Sequence, residues 1–203
     1  MNSDFYRRSV DSLQRIYAII IALAITHAIS VVFLNNGQLG NRQDIIKYLP
    51  QFFTFSIIIV PFFHGMNRHL DRCYIEKGSK PLNFALLIDF VIFFAESMIL
   101  FAFAGTLKSP ELNYVIVLTI LLGFDTIWAF VSHFIHYRKL EGPIIWAFTN
   151  LISIVIILLI YFFNFFNIDK AWLVFIIAAA RTITDYIFCW HFYFPNPTEQ
   201  VTI

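Results

Sequence analysis

Six stretches of about twenty apolar residues, parted by short polar connections, take up most of this 203-residue chain. A bilayer core is about 30 Å thick and is crossed by a helix of about 20 apolar residues. In lipid every backbone polar group must find its partner inside the protein, so such stretches form helices. The spans read as residues 14–34, 49–64, 83–105, 113–137, 144–166 and 171–195. The second is the shortest and carries Pro61, which predicts a kink. The first apolar run is longer than the 7–15 residues of a signal-peptide core and reads as a retained helix.

Composition closes off the other classes. Apolar residues make up 59% of the chain, with 25 phenylalanines, and charged residues 13%. A soluble domain carries about 25% charged residues. Net charge is +1, so direct nucleic-acid binding is not expected. Cys73 and Cys189 are too few and too far apart for a disulfide framework or a cysteine zinc site. The expected fold is therefore an all-α integral membrane protein, one transmembrane domain over residues 1–203, built as a six-helix bundle.

Lysine and arginine orient it. Arg7, Arg8, Arg15, Arg68, Arg72, Lys77, Lys80, Arg138 and Lys139 fall on one side, and Arg42, Lys47, Lys108 and Lys170 on the other. The richer side is expected to be cytoplasmic, with both termini there. Residues 35–48 are expected along the outer interface. Residues 65–82 form the longest cytoplasmic loop, and Asn67, Arg68, His69, Asp71 and Arg72 make it the docking surface for a soluble partner protein.

Ionisable residues inside spans are costly and mark sites. Asp89 and Glu96 are seven apart on one face of the third span. Asp125 lies in the fourth span; Arg181 and Asp185, four apart, can pair along the sixth. These five residues are expected to form an intramembrane polar network that lines a proton or cation path. A purely structural network that sets helix register would use the same residues. Thr26, His27 and Ser30 of the first span and Thr149, Asn150 and Ser153 of the fifth extend it.

His64, His69, His133, His136 and His191 gather at the cytoplasmic ends of spans. Imidazole is the common ligand of iron and zinc. The spacings His-x4-His and His-x2-His resemble, in part, the histidine boxes of membrane di-iron desaturases and hydroxylases. That resemblance implies a lipid-modifying metalloenzyme with iron or zinc. Histidines also favour interfaces for their amphipathic ring, and the preferred expectation is no cofactor. Asp125, Ser132 and His136 share a stripe on the fourth span, which suits a proton relay. No zinc-protease helix, nucleophile elbow or glycine-rich phosphate loop occurs, and no catalytic residue is assigned.

Two polar segments stand out. One is residues 61–71, with Pro61, His64, Gly65, Asn67, Arg68, His69 and Asp71. The other is residues 181–195, with Arg181, Asp185, Trp190, His191 and Pro195. Together they resemble small multi-pass accessory proteins of prokaryotic antiviral systems, including type VI-B CRISPR loci and related anti-phage operons. The resemblance implies an inner (plasma) membrane effector that alters permeability and assigns no residue a role. The expected function is thus a non-enzymatic, channel-like protein that works in the lipid bilayer as a homo-oligomer. The alternatives are the lipid metalloenzyme and a proton-coupled carrier of small solutes.

Overall fold

The computed structural model describes residues 3–76, 83–137, 142–163 and 169–195. Helix α1 covers Ser3–Phe33 and ends in a tight hairpin that pairs Leu34–Asn35 with Gln38–Leu39. At its tip Asn36 has φ 52° and Gly37 φ 78°. Two successive left-handed residues make the turn whose twist suits a two-residue hairpin, and Asn-Gly is the pair that adopts it most readily. Of residues 35–48, expected along the outer interface, the first five belong to this hairpin and residues 42–48 open the next helix.

Helix α2 then runs Arg42–Leu70, started by Asn41, whose side chain accepts from the Gln43 N–H. It continues as a widened π-helical turn over Asp71–Glu76. The expected span 49–64 is therefore too short, and the expected loop is corrected: residues 65–76 are helical. Residues 77–82, with Lys77 and Lys80, lie outside the described residues. Both Pro50 and Pro61 sit inside α2. A proline leaves the carbonyl four residues earlier without its helical donor. For Pro61 that carbonyl belongs to Ile57, and the Thr182 hydroxyl donates to it at 3.4 Å. A neighbouring helix thus replaces the lost bond, as membrane interiors require.

Four more elements follow the expected spans closely: α3 (Asn83–Gly105), α4 (Glu111–His136), α5 (Gly142–Phe163) and α6 (Lys170–Phe188). The Asp169 side chain caps α6 by accepting from the Ala171 N–H at 2.8 Å. The last span was expected to reach residue 195. It breaks at Cys189, and a single further turn, α7 (Trp190–Tyr193), folds back against α2.

Six of these helices are long and apolar enough to cross a membrane. They close into a ring in the order α1, α3, α4, α5, α6, α2 and back to α1. The outer face is apolar: Leu23, Phe84, Phe134, Ile183 and Phe188 are among its exposed side chains. One half of the ring interior, towards the hairpin, is filled by Phe55, Leu100, Phe103, Leu118, Leu121 and Leu122. The other half, at the end where α1 begins and α6 finishes, is polar. That inversion of the soluble pattern is what lipid demands, since packing rather than water exclusion holds such helices together.

Candidate functional site

The polar half contains two clusters. The first lies near the terminal end, around Asp89 on α3. One carboxylate oxygen, Oδ2, accepts from the Tyr74 hydroxyl at 2.6 Å and lies 3.0 Å from Nε2 of His69 and 3.7 Å from Nε2 of His136. The other, Oδ1, accepts from the Trp128 indole at 3.3 Å. The far nitrogen of His69, Nδ1, sits 3.1 Å from the Tyr137 hydroxyl, and the Cys73 thiol donates to that hydroxyl at 3.4 Å. Burial pushes the Tyr137 phenol well above its ordinary range, so it works here as a neutral hydroxyl.

The π turn builds this cluster. In an α-helix a residue five positions on points about 140° away from the first. An i→i+5 turn brings it back over the same face. Tyr74, five after His69, reaches the same Asp89 for that reason, and Cys73 stays on the face as well.

The second cluster is deeper, between α3, α4, α5 and α6. Arg181 donates through Nε to Asn150 Oδ1 at 2.8 Å, and Asn150 donates to Asp125 Oδ2 at 2.5 Å. The Nη2 of Arg181 is 3.9 Å from the same Asp125 oxygen, and its guanidinium lies over the Phe62 ring. Glu96 lies against Asp125. Asp185 accepts from the Tyr193 hydroxyl at 2.8 Å. Burial, then the nearby Asp185 carboxyl, pushes the Tyr193 phenol upward, so it stays a donor. Glu96, Asp125, Arg181 and Asp185 line a cavity of about 20 Å³, together with Trp146 and Tyr193. Three buried atoms around it lack a hydrogen-bond partner: Arg181 Nη1, Asp185 Oδ1 and Trp146 Nε1. Two donors and one acceptor are the complement of a single water, and the space suffices for one.

An aromatic septum separates the two clusters. The Phe93 and Trp128 rings are 4.9 Å apart, and Trp128 also packs edge-on to His69 at 4.8 Å. Trp128 borders both the deep cavity and a smaller one of about 10 Å³ beside Asp89, Ser132 and His136.

The expected five-residue network is thus split. Glu96, Asp125, Arg181 and Asp185 share the deep cluster, whereas Asp89 joins the histidines. Arg181 directs its Nε to α5 instead of pairing along its own helix. Of the five histidines, His69 and His136 come together, with ring centroids 5.4 Å apart. His64 is half-buried and hydrogen-bonded to the Tyr186 hydroxyl at 3.1 Å, His133 packs on Phe134, and His191 is exposed. Among the described residues the grouping whose atoms could hold a metal is His69, Asp89 and His136, with ligand atoms all within 4.8 Å of one another.

The expected docking residues lie along α2 and the π turn that continues it. His69 is fully buried and none of the other four is exposed. Arg68 donates to the Phe192 carbonyl at 2.8 Å and pairs with Glu76; Arg72 covers the Tyr137 and Phe192 rings. Asn67 bonds back to the Phe63 carbonyl, and Asp71 accepts from Gln14 at 3.0 Å. Residues 61–71 and 181–195, singled out separately in the sequence, therefore meet: His64 also lies 4.7 Å from Tyr193, ring to ring.

Sequence reasoning missed the aromatic donors Tyr74, Trp128, Trp146 and Tyr193. Trp128 was within reach of the pattern. Asp125, Trp128, Ser132 and His136 fall at i, i+3, i+7 and i+11, one continuous helical stripe. Comparison of the chain with protein-family models, with curated proteins and with solved structures finds no match.

Proposed function

We propose that this chain is a non-enzymatic integral-membrane protein that carries protons through its polar interior. The observation that carries the reading is the deep cavity, where one guanidinium and three carboxyl groups surround room for one water. Every proton this cluster gains or loses changes its charge, and its unpartnered atoms leave bonds open to one water. The cavities touching the ionisable groups, about 20 and 10 Å³, are too small for a hydrated sodium or potassium ion. A proton needs only hydrogen-bonded groups and single waters. The route begins at His136 and Asp89, and reaching Glu96 and Asp125 requires the Trp128 septum to open far enough to admit water between the two cavities that it borders. Beyond them the leucine and phenylalanine layer closes the hairpin half, so delivery to that side requires a rearrangement of the layer. The positive-side count favours His136 facing the cytoplasm. The likeness of residues 61–71 and 181–195 to antiviral accessory proteins supports a role in membrane permeability during defence.

The test is proton uptake into proteoliposomes that hold a pH-sensitive dye, driven by a potassium-valinomycin potential. Flux above that of empty liposomes is expected. Glu96→Gln and Asp125→Asn each reduce it by at least about tenfold, since each removes a proton-binding group from the path. Flux equal to that of empty liposomes, or unchanged in both variants, overturns the reading.

A further inference from the structure

We propose that His69, Asp89 and His136 form a binding site for one divalent transition-metal ion, with zinc the ion it suits best. His136 and Asp89 also stand at the entrance of the proposed proton route, but zinc binding is read without any flux, so the two readings fail separately.

Geometry is the first support. Zinc binds imidazole nitrogen at about 2.0–2.1 Å and carboxylate oxygen at about 2.0–2.2 Å, so ligand atoms around a tetrahedral ion stand about 3.4 Å apart. Here Asp89 Oδ2 is 3.0 Å from His69 Nε2 and 3.7 Å from His136 Nε2. Binding needs His136 to draw in, and this ring is the one at the edge of the cluster, with 14% of its side chain exposed.

The surroundings are the second support. Metal-bound histidines commonly give their other ring nitrogen to a fixed partner, and metal-bound carboxylates are themselves hydrogen-bonded. With Nε2 of His69 on the ion, Nδ1 carries the ring proton and donates it to the Tyr137 hydroxyl, 3.1 Å away. Asp89 is held by Tyr74 and Trp128. Three protein ligands from three helices leave a fourth position, which water fills from the side of His136. Cys73 supports Tyr137 from the Nδ1 side of His69, at 3.7 Å, so it belongs to the outer layer of the site. Two nitrogens and one oxygen suit zinc or ferrous iron over calcium or magnesium, which prefer oxygen.

The experiment uses the full chain, purified in detergent without a histidine tag and stripped of metal. Zinc is titrated against a chromogenic chelator, and bound metal is counted by elemental analysis. One zinc per chain is expected. His136→Gln and Asp89→Asn should each weaken binding by more than about 100-fold, and Tyr137→Phe by about 10–100-fold, the range for groups that only orient a ligand. His64→Ala and His191→Ala should bind like wild type. Because Asp89 is buried, the His136→Gln protein, checked for a monodisperse elution profile, carries the decision if Asp89→Asn misfolds. The visible spectrum of a cobalt(II) substitute, lost in His136→Gln, gives a second readout that general unfolding does not mimic in a monodisperse sample. No zinc bound at micromolar concentration, zinc retained by His136→Gln, or zinc lost with His191→Ala would overturn the site.

Discussion

Arg181 is the residue on which the deep cluster depends. It is 5% exposed and supplies the cluster's guanidinium, against the carboxyl groups of Glu96, Asp125 and Asp185. Removing one partner of a buried ionic group leaves the others uncompensated, at a cost of about 3–5 kcal/mol. Arg181→Met should therefore lower stability in detergent by about that much, read by thermal or denaturant unfolding. Asp125→Asn combined with it should recover part of the loss, a coupling that a double-mutant cycle measures directly. The identities of these residues were legible in the sequence, because charge inside an apolar span stands out. Their partners were not. Whether Asp89 faces Glu96's neighbours or two histidines depends on which helices touch, and no spacing within one helix contains that information. Asn150, one of three polar residues in the fifth span, is the one that bridges Arg181 to Asp125, and only the packing of α5 against α4 and α6 selects it.

Elements were easier to read than their ends. Apolar length gave α4 to within two residues at each end; residues 138–141, with Arg138 and Lys139, and residues 164–166 of the expected fifth span lie outside the described residues. It failed for the end of α2 and the π turn that continues it, where Asn67, Arg68, His69, Asp71 and Arg72 look like a loop by composition. Those residues are helical because the bundle supplies partners for each of them, Gln14 and the Phe192 carbonyl included. The close fit of α5 to α7 gives a sharp test. A Cβ on Gly142 would lie 2.8 Å from Cδ2 of Phe192, whereas one on Gly123 in α4 meets nothing within 4 Å. Gly142→Ala should cost about 1–3 kcal/mol through overpacking. Gly123→Ala should be neutral or stabilising by up to about 1 kcal/mol, since alanine is the better helix former. Unfolding of the two proteins under one detergent condition reads the difference. Equal stabilities would mean that α7 yields freely.

At the scale of the molecule, the ring encloses both polar clusters within one chain. A pore made by symmetric assembly is the expectation from size alone; with both clusters inside one ring, the proposed proton route needs no second copy. Proton flux in proteoliposomes should therefore rise in direct proportion to protein density across dilute preparations. A second-power dependence would place the route between subunits and return the homo-oligomer to the centre of the mechanism.

The order of helices around that ring also has a chronology. α2 is made before α3, α4 and α5, yet its main neighbour is α6, made after them. Until α6 arrives, the Ile57 carbonyl freed by Pro61 lacks the Thr182 hydroxyl, and His64 lacks Tyr186. The ring of helices therefore stays open at α2 until α6 has been made. A chain cut before α6 should therefore lack both contacts, so α6 acts as the clasp of the ring.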